Sequence, residues 1–128
     1  MPVAFHLSGG NVHDAPEGRK LIASLPEAFC RSGSRRRRRM LMDRAYEGDE
    51  TRQLVRERKM VPVVPPKRNR TKPWRYDRKL YRRRNEVERY FRKIKGFRRV
   101  FTRYDKLDTV YSAFVMFTMI CELLRQLK

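Results

Sequence analysis

The chain has 128 residues, with 33 Lys plus Arg against 14 Asp plus Glu, a formal net charge of +19. Its length allows one ordinary domain at most, and 40% hydrophobic against 37% charged residues allows only a modest core. Such a charge makes a compact chain repel itself, and phosphate backbone is the relief that fits, whereas small acidic metabolites need no such excess.

In chain order, Val3 to Leu7 reads as a strand that Ser8-Gly9-Gly10-Asn11 ends. The opening residues have no basic region and no long apolar run, so they are no signal peptide. Asp14 followed by Ala15-Pro16-Glu17 marks a helix start with Asp14 as its cap. Leu21, Ile22 and Leu25 give that helix its buried side before Pro26. The run Arg31 to Arg39 reads as a loop, because clustered arginines do not pack into a core. Met40-Leu41-Met42 is a short strand ending on Asp43, with Arg44 to Gly48 as a loop. Asp49 to Lys59 forms a helix facing inward through Leu54 and Val55, with Asp49 as its cap. Val61 to Pro66 is a strand that prolines limit to an edge. Lys67 to Lys79 is a basic linker carrying Trp74.

Two helices follow, from about Leu80 to Phe97 and from about Leu107 to Leu127. The second is apolar nearly all round, which suits burial against a sheet or a partner. Its most apolar stretch, Ala113 to Cys121, is roughly half of the ~20 residues a membrane span needs. Cys30 and Cys121 make no disulfide framework and no metal-ligand spacing, so both read as buried thiols in a reducing cytoplasm. The expected protein is soluble, cytoplasmic and faces nucleic acid, with no membrane partner. Alternation of strand and helix argues for an α/β architecture.

The helix from Leu80 carries the informative geometry. At 100° per residue, Leu80, Val87, Phe91 and Ile94 fall within an arc of roughly 60°, a core-facing stripe. Tyr81, Arg84, Glu88 and Lys95 form a second stripe about 70° around from it. Glu86 points to another side, so Glu88 is the carboxylate at the rim of the buried face. Periodicity alone also allows Arg84 and Glu88 to be a solvated i, i+4 ion pair. Asp43 has a similar alternative, as a cap of its loop or a partner of Arg44.

The spacing Tyr81-x-x-Arg84-x-x-x-Glu88-x-x-x-x-x-x-Lys95 resembles the Tyr-Arg-Glu-Lys signature of bacterial insertion-sequence DDE transposases. Met42-Asp43-Arg44-Ala45-Tyr46 resembles that family's second-aspartate motif. Pro65 to Arg70 and Thr102 to Leu107 fit the flanking segments, so the likeness covers nearly the whole chain. The resemblance implies a ribonuclease H-like fold and metal-dependent cleavage and strand transfer of DNA, with three carboxylates holding two Mg2+ or Mn2+ ions. It implies Asp43 as the second metal-binding aspartate and Glu88 as the closing glutamate. Tyr81, Arg84 and Lys95 would contact phosphates of the transposon end.

By the same resemblance, residues 1–66 form a βαβαβ portion holding the last three strands, 67–79 the linker, and 80–128 the signature helix and an apolar helix. The first two strands, and the first aspartate that ends one of them, have no counterpart here. The expectation is therefore an incomplete ribonuclease H-like fold, inactive alone. It would be either the second half of a frameshifted transposase or a remnant. Its partners would be double-stranded DNA at transposon ends and target, and an upstream reading-frame product or the full-length enzyme. The other function classes are a non-enzymatic basic nucleic-acid binder, which leaves Asp43 and the signature stripe unaccounted for, and a regulator that occupies transposon ends. Trp74 could stack on an unpaired base, or shield the sheet edge. His6 and His13 read as structural.

Overall fold

The computed structural model describes residues 2–9, 11–30 and 36–126. Its elements are α1 (Asp14–Ser24), α2 (Glu27–Cys30), β1 (Arg39–Leu41), a 3-10 turn (Arg44–Tyr46), α3 (Asp49–Glu57), β2 (Val61–Val63), α4 (Arg78–Tyr81), a second 3-10 turn (Arg82–Arg84), α5 (Asn85–Lys95), α6 (Arg98–Phe101) and α7 (Asp108–Gln126). The fold is mixed α/β, mostly helical, with a small two-stranded parallel sheet. Two compact units divide the chain: Ser8–Arg84, and Met1–Leu7 with Asn85–Lys128.

The Ser8–Arg84 unit is built around a β1–α3–β2 crossover, the connection that parallel strands require. Arg39 lies opposite Val61, Met40 opposite Pro62 and Leu41 opposite Val63. The Met42 N–H extends the ladder by donating to the Val63 carbonyl at 3.1 Å. Pro62 donates nothing to a ladder, which keeps β2 short. Beneath the sheet, Ile22 and Leu25 from the first helical segment meet Cys30, Met42, Val55, Met60 and Val64 in one apolar cluster. The spacing of Ile22 and Leu25 is one helical turn, so both side chains fall on the same face.

Helix α3 ends in a feature that composition does not advertise. The Met60 N–H donates to Val55 O and the Lys59 N–H to Arg56 O, the paired bonds of a Schellman cap. The residue that must turn left-handed there is Lys59, with φ 59°, where glycine is usual. The starts of this helix and of α1 differ slightly from expectation. Asp14 and Asp49 are first-turn residues, not caps; His13 and Gly48 hold the cap positions without side-chain bonds. Acids in a first turn still favour the helix through its dipole.

In the second unit, α5, α6 and α7 pack together through Ile94 and Val115, with Thr118 and Glu122 also buried. The Tyr111 hydroxyl donates to Val100 O at 3.0 Å, and the Arg99 guanidinium lies 4.4 Å from the Phe114 ring centre. These contacts fasten α6 to α7.

Three expectations need correction. Val3 to Leu7 has no regular structure, and no described segment pairs with it, so it cannot be a strand. His6 accordingly lies on no strand. The expected helix from Leu80 to Phe97 is α4, a 3-10 turn and α5, because Arg82–Arg84 tightens the winding between them. The stripe arithmetic assumed one unbroken winding. Within α5 only Ile94 of the expected core face is buried; Val87 and Phe91 are about half exposed. Residues 31–35, part of the expected arginine loop, lie outside the described residues, as does Leu127. Cys30 is buried and Cys121 half-buried, and both are free thiols.

Candidate functional site

Asp43 follows β1 and starts the 3-10 turn, its side chain accepting the Arg44 N–H at 2.6 Å. The cap fixes one carboxylate oxygen against the backbone. The other faces Arg84, whose Nη1 lies 3.8 Å away, with the Asp43 side chain 57% exposed. At that distance and exposure the pair is a loose ion pair of about 0–1 kcal/mol, so Asp43 is not locked by it. Of the two structural alternatives for Asp43, the loop cap is the one seen; the guanidinium its other oxygen faces is that of Arg84, not of Arg44.

The turn after Asp43 is held from α1. A side chain at Gly18 would place its Cβ 2.3 Å from Tyr46 Cε1, so only glycine lets this ring lie on the helix. Burial there pushes the Tyr46 phenol above its usual range, and the charges of Asp14 and Asp43 push the same way.

Arg84 and Tyr81 arrive from the other side through α4. Asp77 caps that helix by accepting the Leu80 N–H at 2.8 Å, and its second oxygen takes Arg39 Nη1 at 3.1 Å. Arg39 opens β1, so one carboxylate fastens the start of α4 to the strand that leads to Asp43. Tyr81 meets Tyr76 edge-on, with ring centres 5.6 Å apart, and the Arg84 guanidinium stands 5.9 Å from the Tyr81 ring centre. Burial raises the Tyr81 phenol's pKa; Arg84 and Arg44 oppose the rise and Asp43 adds to it. Within this unit the structure thus gathers a carboxylate, a guanidinium and a phenol from three of the expected site positions. Sequence reasoning missed Asp77 and Arg39. The signal for Asp77 was an acid three residues before Leu80.

A second network holds the basic segment that follows β2. Glu47 is buried and faces Lys67 at 3.7 Å and Arg70 at 3.6 Å. Asp49 bonds both Arg70 and Arg52, and Arg70 with that carboxylate holds its pKa below the usual range. The Arg52 and Arg70 guanidinium groups stand 3.4 and 4.8 Å from the Trp74 ring centre. The Trp74 indole N–H donates to Val64 O at 2.9 Å, and the ring packs on the apolar cluster. Trp74 shields the sheet; an indole already covered on this scale is not a free stacking platform.

Glu88 and Lys95 lie on α5 in the other unit, and both are exposed. Lys95 sits in the last turn with Arg92 and Lys93, where cations complement the helix dipole. Glu86, the competing carboxylate, is also exposed in the first turn. Nearby, the buried Glu122 carboxylate takes Arg125 Nη1 at 2.7 Å, and burial with that carboxylate raises the Tyr90 phenol's pKa. Among the described residues, no three His, Cys, Asp or Glu side chains gather as a metal site. None of the described helices is long and apolar enough to cross a membrane.

Comparison with known proteins gives a consistent result. Residues 1–123 match the family described as "Transposase DDE domain". The chain is also 25% identical over 116 residues to a Brucella ovis protein named "Putative transposase for insertion sequence element IS6501", covering 90% of this chain and 82% of that one. No solved structure matches.

Proposed function

This chain belongs to the transposase DDE-domain family of insertion sequences, and from that premise we propose that it is part of a catalytic domain that binds transposon-end DNA for cleavage and strand transfer. In this reading its fold is the latter part of a ribonuclease H-like domain, and Asp43 and Glu88 are two of the three acidic residues. The observation that carries it is Asp43: a carboxylate at a strand end, fixed by one oxygen to its own turn, with Arg84 and Tyr81 beside it.

Arg84 and Lys95 would hold backbone phosphates, the guanidinium as a fork and the ammonium as a point charge. Tyr81 would add a neutral hydroxyl donor. Asp43 and Glu88 fit a divalent cation only in company. Magnesium is commonly held by one or two carboxylates completed by substrate phosphates, and the exposed Asp43 carboxylate is open to such a site. When bound, magnesium or manganese supplies Lewis-acid stabilisation to the attacking and leaving oxygens.

In this reading the first of the family's three acidic residues has no counterpart here, and the purified chain should bind duplex DNA without nicking it in Mg2+ or Mn2+. Metal-dependent strand transfer by this chain alone, abolished by Glu88→Ala, would overturn that expectation. A second reading, a basic nucleic-acid binder with no catalytic descent in use, is favoured by the +19 charge. Duplex binding that ignores divalent cations and is unchanged by Asp43→Asn and Glu88→Gln would select it.

A further inference from the structure

The turn from α6 to α7 holds large apolar side chains out in water. Phe101 is 69% exposed, Tyr104 59% and Leu107 65%. The backbone that carries the two rings is fastened from within. The Phe101 N–H donates to Phe97 O at 3.0 Å and the Thr102 N–H to Arg98 O at 2.9 Å, which closes the last turn of α6. The Tyr111 hydroxyl ties the neighbouring Val100 to α7. Arg103 braces the turn itself: its Nε donates to Asp105 O at 3.2 Å, its Nη2 bonds Asp108, and its guanidinium lies 5.1 Å from the Tyr111 ring centre. Phe101 and Tyr104 therefore stand exposed on a rigid mount, whereas Trp74 is spent on covering the apolar cluster. Phe91 and Phe117 are exposed too, but each shares a helix face with another exposed apolar residue, Val87 and Ile120 respectively.

We propose that Phe101 and Tyr104 form a stacking site for unpaired nucleobases. Charge is the first argument. Positions 92–106 hold seven Lys or Arg and a single acid. That acid, Asp105, is half-buried and keeps one carboxylate oxygen away from solvent. The rings thus lie in a field that gathers phosphate. Chemistry is the second argument. An aromatic ring beside a cationic backbone track stacks on any base, because every base has a π-face. Bases inside a duplex are already stacked on one another, so the ligand is a single strand or a locally opened duplex. An acidic membrane would answer the charge as well, but it calls for a continuous apolar face. Here Arg98, Arg99, Arg103 and Lys106 interrupt the apolar positions. The inference rests on the DNA-binding reading above, and adds to it a ligand, the unpaired base, and a place outside the signature residues.

Fluorescence anisotropy at one fixed salt concentration tests this with three labelled probes: oligothymidylate, an abasic strand with the same number of phosphates, and a duplex. Charge alone cannot tell the first two apart. The chain should bind oligothymidylate about tenfold tighter than the abasic strand, or better. Phe101→Leu and Tyr104→Leu keep apolar bulk and lose the π-face. Each should remove part of that preference and the double variant nearly all of it, while abasic and duplex affinities and thermal melting stay unchanged. Strands carrying bromodeoxyuridine should photocrosslink to the segment 101–104, read by mass spectrometry. Equal affinity for oligothymidylate and the abasic strand, or a base preference that survives the double variant, overturns the proposal. So does a double variant that loses binding to phosphatidylglycerol vesicles and keeps its base preference, which would assign the rings to a membrane. Duplex affinity reports on the DNA-binding reading; the base preference and its loss report on the stacking site, whichever way the duplex result falls.

Discussion

Removing Trp74 should destabilise the Ser8–Arg84 unit sharply, and by an amount that separates its roles. The half-buried indole covers the apolar cluster, carries Arg52 and Arg70 near its ring, and donates to Val64 O. Trp→Ala at a well-packed position uncovers roughly 100–150 Å² of apolar surface, or about 3 kcal/mol. The lost donor adds about 1 kcal/mol, since Val64 is fully buried and its carbonyl finds no replacement. Partial solvent access returns some of this, so Trp74→Ala should cost about 3 kcal/mol and Trp74→Phe about 1 kcal/mol. For a unit of this size the alanine variant should melt about 12–24 °C lower. Urea unfolding followed by circular dichroism measures both. The reasoning is refuted if Trp74→Ala costs under about 1 kcal/mol, or if Trp74→Phe is as harmful as the alanine. Strong quenching of the indole by single-stranded DNA would also contradict a shielding role.

Other consequences follow from single contacts. Lys59→Gly should stabilise the chain by about 0.5–1 kcal/mol in the same unfolding assay, because glycine relieves the left-handed backbone at the Schellman cap at some cost in unfolded-chain entropy. Gly18→Ala should do the opposite of what helix propensity predicts, costing about 1–3 kcal/mol, since its Cβ would collide with Tyr46. Tyr46, Tyr81 and Tyr90 hold their protons above the usual phenol value, chiefly through burial. Their folded pKa values being raised, the stability they confer is complete below about pH 10 and is lost as pH rises beyond it. Ultraviolet titration of the folded chain should show these phenolates forming later than in the urea-unfolded chain; coincident curves would contradict their burial.

Much of the architecture was legible because it follows from local rules. The Leu54–Val55 face between Asp49 and Lys59, the apolar Met40–Leu41 run and the proline-limited Val61–Val63 segment each carry their own signal. Asp43 was legible as an acid at a strand end, and the turn it caps is local too. What was not legible depended on partners. Val3 to Leu7 alternates like a strand, yet a strand exists only through a ladder. The break at Arg82–Arg84 has no Gly or Pro to announce it, so a continuous helix was the natural reading. Val87 and Phe91 sit at core spacing, but spacing says which face is apolar, not whether anything covers it. The left-handed Lys59 was hidden for the same reason, since the usual glycine is absent.

Asp43 and Glu88 are proposed as cation ligands completed by DNA phosphate. Iron-mediated backbone cleavage tests this directly. Ferrous ion is loaded in place of magnesium onto the duplex-bound chain, and the radical-cut fragments are mapped. Cuts should cluster around Asp43 and Glu88, fade when magnesium competes, and disappear at the altered position in Asp43→Asn and Glu88→Gln while Glu86→Gln leaves them in place. Cuts that ignore magnesium and both substitutions, or that follow Glu86 instead, would contradict the assignment.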